Sequence, residues 1–213
     1  MRRNPSFTMT DPEEVKRLIR RNPWATFVSQ TSKGLVASHY PLLLDEEATA
    51  ASGDIVIVSH FGRPDERYHE LGDKELLVIV QGPHDYVSSS WYPKEMIVPT
   101  WNHLSAHLHG IPEILDEEEN FQWLSKLTDH FERHHEGGRS LSEDEAVTRE
   151  IARGAVSIRM RVTRFEALAK LSQNKPVAVR ENLRAQLSER NPGLVSEMAR
   201  IDDGTEPPES MLS

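Results

Sequence analysis

Apolar positions along the chain change their period from segment to segment, and the changes mark out the elements. Val15, Leu18 and Ile19 stand three and four residues apart, as on one helix face. Ahead of them runs Thr10-Asp11-Pro12-Glu13-Glu14. Either of its first two residues can cap, the proline suits a first turn, and the glutamates suit the positive helix end. Asn22-Pro23 stops this helix. Strands are then predicted over 24–29 and 35–44, joined as a hairpin through the turn Thr31-Ser32-Lys33-Gly34, with further strands over 54–59, 75–81 and 85–88. A helical segment is predicted over 64–71, and a long strand over about 98–115, bent at Gly110 and Pro112. Residues 117–135 place Phe121, Leu124, Leu127 and Phe131 on one side of a helix that Gly137-Gly138 ends. A second helix starts at Ser142, with Glu145 completing a capping box. From 155 to 169, Val156, Ile158, Met160 and Val162 alternate with Ser157, Arg159, Arg161 and Thr163, the two-residue period of a strand. A last amphipathic helix covers 176–188, and the polar stretch 191–213, with Pro207-Pro208, is expected to be a flexible tail.

About six or seven strands in hairpin order, with helices at the ends and one helical insertion at about 117–152, point to a mainly β fold with added helices (α+β). The expected architecture is an antiparallel barrel in one domain over 1–190. Composition narrows the setting. No run approaches the roughly 18 apolar residues that span a bilayer, no apolar segment follows Met1-Arg2-Arg3 as in a secretory leader, and cysteine is absent. A cytoplasmic protein with no membrane contact is expected. The formal net charge is −9, which is not the field that DNA phosphates attract, and no helix-turn-helix with a basic second helix is present.

Candidate chemistry gathers in four places: Ser38-His39-Tyr40-Pro41, His60-Phe61-Gly62-Arg63, the stretch from Gln81 through Trp91 to Asn102, and Lys170-Leu171-Ser172-Gln173-Asn174-Lys175-Pro176. A strand that runs out through glycine into a helix start, with an arginine and a histidine beside it, suits a phosphate; a solvated strand-end turn has the same residues. The aromatics around Trp91 and Trp101 suit a flat ligand, or equally a core or a subunit seam. His103, His107 and His109 share one strand face, yet no carboxylate lies near them in sequence, so hydrogen-bonded imidazoles rather than a metal site are expected. No G-x-S-x-G elbow, P-loop or G-x-G-x-x-G is present, and no catalytic residue is identified.

Taken in order, these clusters resemble the PaiB family of FMN-binding negative transcriptional regulators. The resemblance covers about residues 3–180. It is carried by Gly34-Leu35-Val36-Ala37-Ser38-His39-x-Pro41, His60-x-x-Arg63, Gln81-Gly82-Pro83-His84-x-Tyr86-Val87-Ser88, Ser90-Trp91-Tyr92-Pro93, Val98-Pro99-Thr100-Trp101-Asn102, His107-x-His109-Gly110 and Lys170-Leu171-Ser172-Gln173-Asn174. It implies a split β-barrel of the FMN-binding type and a homodimer with flavin clefts at the subunit interface. His39 would flank the cleft, His60 and Arg63 would hold the FMN phosphate, and Trp101 and Asn102 would face the isoalloxazine. Lys170, Ser172, Gln173 and Asn174 would come from the other side of the dimer cleft. Asp65 stands where the family usually has asparagine, so a like charge is expected beside the phosphate. A flavin-dependent oxidoreductase and a haem-binding split barrel are the alternatives on the same fold. The charge balance yields a first expectation. The protein should bind random duplex DNA only weakly at physiological salt, as read by fluorescence anisotropy; tight, salt-sensitive binding would reveal a local basic surface.

Overall fold

The computed structural model describes residues 4–202. In chain order the elements are β1 (Thr8–Met9), α1 (Pro12–Arg21), β2 (Trp24–Thr31), β3 (Gly34–Leu44), α2 (Glu46–Ser52), β4 (Val56–Gly62), α3 (Arg63–Tyr68) and β5 (Leu76–Val87). There follow β6 (Thr100–Gly110), β7 (Pro112–Ile114), α4 (Glu117–Glu132), α5 (Glu145–Ala152), β8 (Ala155–Arg161), β9 (Arg164–Lys170), α6 (Val177–Leu187) and α7 (Pro192–Asp202). The residues expected to form one domain divide into two compact units. Unit one comprises residues up to Thr10, Gln81–Ala106 and Glu166 onward; unit two comprises Asp11–Val80 and His107–Phe165. No helix among the described residues is long and apolar enough to cross a membrane.

Unit two is built on an antiparallel ladder in the order β5-β2-β3-β4-β8-β7. The hairpin β2–β3 pairs Trp24 with Pro41 through to Thr31 with Gly34, and Gly34 takes the positive φ of 112° that its turn requires. Alternation sends Phe27, Val36 and Val78 to the buried face, where Phe27 meets Phe61 edge-on at 5.1 Å. The opposite face keeps Trp24 and Leu35 at 60% and 75% exposure. Trp123 of α4 buries against Val58 and Leu115. Asn120 fastens the insertion to β8: its Oδ1 accepts from Ser157 N at 2.7 Å, and its Nδ2 donates to the carbonyls of Ala152 and Ala155 at 3.4 and 3.3 Å.

A buried polar chain sets α3 on this ladder. His69, just past α3 and 1% exposed, faces a serine hydroxyl with each ring nitrogen: Ser29 Oγ at 2.7 Å and Ser38 Oγ at 2.9 Å. Ser38 Oγ also donates to Asp65 Oδ2 at 3.4 Å, Tyr40 OH donates to the same oxygen at 2.5 Å, and Gly62 N donates to Tyr40 OH at 3.4 Å. Both ends and the middle of α3 are thereby tied to β2 and β3.

Unit one has β1 paired with β9, Thr8 opposite Leu168 and Met9 opposite Ala167, and its strand order continues through β6 to β5. Here the structure corrects the expectation of a flexible tail from 191: Pro192–Asp202 is a helix with Leu194 and Met198 buried. The two stand four apart, so they share a helix face, whereas the overall polarity of the stretch hides them. Asn191 Oδ1 accepts from Leu194 N at 3.1 Å, and Asp202 pairs with Arg180 at 2.7 Å and with Arg184. The remainder of the expected tail, 203–213, lies outside the described residues.

Other boundaries shift for local reasons. The strand expected over 98–115 is β6 and β7 separated at Ile111. A Cβ on Gly110 would stand 2.4 Å from the Arg161 carbonyl, so only glycine lets the chains approach there. The strand expected over 155–169 is broken before β9, where Thr163 N donates to the His109 carbonyl at 2.9 Å. Residues 85–88 are for the most part the end of β5. The helix α2 was not anticipated; Asp45 caps it by accepting from Ala48 N at 3.0 Å.

Burial holds His60, His69 and His103 below the ordinary imidazole pKa of 6.5. Between their folded values and 6.5 the unfolded chain binds more protons, so stability present above that window is lost as pH falls through it. The urea midpoint is expected to drop between pH 7.5 and 5.5, and His69→Gln should flatten the drop by removing one titrating group. A midpoint independent of pH over this range would contradict the account.

Candidate functional site

In unit two the residues of interest sit where β4 ends. Gly62 leads directly into α3, whose first residue is Arg63. Arg63 is anchored at three points: its backbone N donates to Gly154 O at 3.0 Å, Nε to Arg153 O at 3.1 Å, and Nη1 to Glu66 at 3.2 Å. The side chain remains 45% exposed, and no hydrogen bond among the described residues uses Nη2. It lines a recess of about 330 Å³ together with Phe121, Arg149 and Arg153 of the insertion. The two insertion arginines pair with glutamates, Arg149 with Glu118 and Glu145, Arg153 with Glu117 and Glu150. The sequence reading had missed both, although their spacing of four, Arg149 within α5 and Arg153 as its C-cap, places them on one face.

His60 points elsewhere. It abuts Leu43, Val58, Trp123 and Ser157 in the space under α4, its ring lies 5.7 Å from that of Tyr40, and its Nδ1 is buried with no hydrogen-bond partner among the described residues. No hydrogen bond joins it to Arg63. Asp65 turns to Tyr40 and Ser38. It is a structural acceptor, which changes the expectation that its charge merely repels a phosphate: an asparagine there would also weaken the bond that positions α3. His39 lies on the outer face of the hairpin, its Nδ1 3.0 Å from Thr26 Oγ1.

Unit one gathers a second group. Trp101 on β6 is 54% exposed, flanked by the rings of Tyr86 at 5.9 Å and His84 at 6.4 Å. Lys170, at the end of β9, donates through Nζ to Thr100 Oγ1. Asn102, Ser172 and Gln173 face inward and serve the turn after β9. Buried Asn102 accepts from Ser172 Oγ at 2.9 Å, and Ser172 adopts a φ of 63°. Gln173 accepts from Leu171 N at 2.7 Å and donates to the carbonyls of Ala169 and Ser6 at 2.6 and 2.9 Å. Asn174 is exposed on that turn. His103 follows Trp101 on the same strand face; burial, then Lys170 and His84, hold its pKa below the usual imidazole value.

In unit one Trp101 supplies an exposed aromatic face, as a flat ring needs. In unit two Arg63 supplies a guanidinium braced at Nε and Nη1 with Nη2 left for an anion. The chain is similar to known proteins over most of its length. The family described as "Putative FMN-binding domain" matches residues 1–164. The protease synthase and sporulation protein PAI 2 of Bacillus subtilis is 31% identical over 205 residues, covering 92% of this chain and 93% of its own. Among solved structures, the FAD and heme binding protein from Mycobacterium smegmatis superposes with a TM-score of 0.55 at 16% identity, over 76% of this chain and 73% of the other. The flavocytochrome Anf3 from Azotobacter vinelandii gives 0.57 at 13% identity, over 79% and 72%. At such identities the structures speak for the fold alone, and that fold is the antiparallel split barrel. The long, nearly end-to-end match in sequence speaks for descent: the chain belongs to the FMN-binding domain family and, within it, to the PaiB family.

Proposed function

We propose that this protein, a member of an FMN-binding family, works as a homodimeric, cytoplasmic negative regulator of transcription that acts without gripping duplex DNA itself. The observation that carries the flavin part is Arg63, braced by the Arg153 carbonyl and Glu66 while half exposed and with one terminal nitrogen unused. A guanidinium so prepared meets a phosphate at little further cost in side-chain freedom. In this reading Arg63 takes the phosphate without His60, which the resemblance sets beside it but which is turned into the space under α4. By the family resemblance Trp101 faces the isoalloxazine, and Lys170 and Asn174 come from the other side of the dimer cleft. His39 flanks it, while Asn102, Ser172 and Gln173 shape the turn that presents their neighbours. Bound FMN would supply one- or two-electron redox chemistry. The dimer is supported by Trp24 and Leu35, exposed near opposite ends of the outer face of the β2–β3 hairpin, apolar side chains that a second copy would cover. The net charge of −9 argues against direct contact with DNA.

Titration of FMN and riboflavin against wild type and Arg63→Ala tests the phosphate role. FMN should weaken by about 1.5–3 kcal/mol, the range for hydrogen bonds to charged groups, and riboflavin by much less. Equal losses for both ligands, or no loss for either, would overturn it.

A further inference from the structure

The three guanidiniums that line the recess beside α3 are held in different ways. Arg149 is fully engaged. Its Nε donates to Glu145 at 2.7 Å, its Nη1 and Nη2 donate to Glu118 at 2.8 and 3.3 Å, and the group lies over the Phe121 ring at 4.1 Å. Arg153 instead repeats the arrangement of Arg63. Its Nε donates to Glu117 at 3.1 Å, its Nη1 donates to Glu150, and its Nη2 has no hydrogen bond among the described residues. The two arginines are bonded neighbours, since Arg63 Nε donates to the Arg153 carbonyl at 3.1 Å. Both Nη2 groups are therefore left over on side chains that line one recess of about 330 Å³. The carboxylates on Arg153 hold it loosely: Glu117 and Glu150 are 73% and 71% exposed, and ion pairs so exposed contribute little. The lining sets three arginines against one glutamate, Glu117, so it carries an excess of positive charge.

We propose that Arg153 is the second guanidinium of the phosphate site, exchanging its exposed glutamates for the anion that Arg63 holds. A phosphate monoester carries close to two negative charges at neutral pH. Arg63 supplies one positive charge, and Glu66 already draws on it. Arg153 supplies the other from the same recess, and a charge-assisted bond to a dianion outweighs one to a solvated carboxylate. Glu117 and Glu150 then act as internal competitors that keep Arg153 in place while the recess is empty. Arg149, whose nitrogens are all engaged, holds the insertion in shape without turning to the ligand. The inference rests on the flavin reading for the identity of the phosphate; the role of Arg153 in taking it is what is added.

FMN and riboflavin are titrated by flavin fluorescence against the full-length wild type, Arg63→Ala, Arg153→Met, Glu117→Gln and the double variant Glu117→Gln/Arg153→Met. Arg153→Met keeps the backbone carbonyl that Arg63 Nε uses, so it removes the second guanidinium and leaves the first braced. It should weaken FMN by about tenfold and leave riboflavin unchanged. Glu117→Gln should tighten FMN severalfold by releasing Arg153, and that gain should vanish once residue 153 is methionine. Unchanged FMN affinity in Arg153→Met, with a loss in Arg63→Ala, would overturn the inference and leave the flavin reading standing. Equal losses of FMN and riboflavin in Arg153→Met would also overturn it, since the side chain would then serve only the shape of the insertion. So would a gain from Glu117→Gln that persists without Arg153, because general charge rather than this arginine would explain it. If Arg63→Ala also leaves FMN unchanged, or no flavin binds the wild type, the flavin reading falls and the inference falls with it.

Discussion

A buried imidazole bonded on both sides to serines is the constraint on which the placement of Arg63 depends. His69 closes a chain that runs from Ser29 through Ser38 and Asp65 to Tyr40 and the backbone of Gly62. Each member is buried or half-buried, so each bond is made where an unpaired partner would be expensive. The chain decides the rotation of α3 on the sheet, and Arg63 is the first residue of α3. A six-residue helix has little stability of its own. What holds it is tertiary: the polar chain on one side, and on the other the carbonyls of Gly154 and Arg153 at the end of the insertion.

The insertion is itself pinned by Asn120, whose amide satisfies a β8 nitrogen and two carbonyls at once. One asparagine thus links the α4–α5 segment to the strand beside Arg63, so that a change far along the chain in sequence reaches the candidate phosphate position. Unit one solves a similar problem with different parts. Asn102, Ser172 and Gln173 spend their hydrogen bonds on the turn after β9, and that turn fixes where Lys170 and Asn174 emerge.

Much of this was legible in the residues. The alternation from Val156 to Met160 marks β8, the spacing of Val15, Leu18 and Ile19 marks α1, and the Ser32-Lys33 turn marks the β2–β3 hairpin. The break between β8 and β9 was not, because Val162 continues the alternation and is itself buried, while the turn is made by a bond to His109, distant in sequence. Helix α7 was hidden by its polar surroundings. At the site, the order of the motifs carried the family, yet a motif does not separate a side chain that meets a ligand from one that holds a loop. Asn102 and Gln173 were read as cofactor residues and are engaged internally, and Asp65 was read as a bare charge although two hydroxyls hold it.

Native mass spectrometry of the protein purified without added cofactor tests the central claim most directly, since it reads assembly and ligand together. The account expects a particle of twice the 24.3 kDa chain mass that carries FMN and releases it intact on denaturation. A monomer without flavin, or a particle carrying haem in its place, would contradict it.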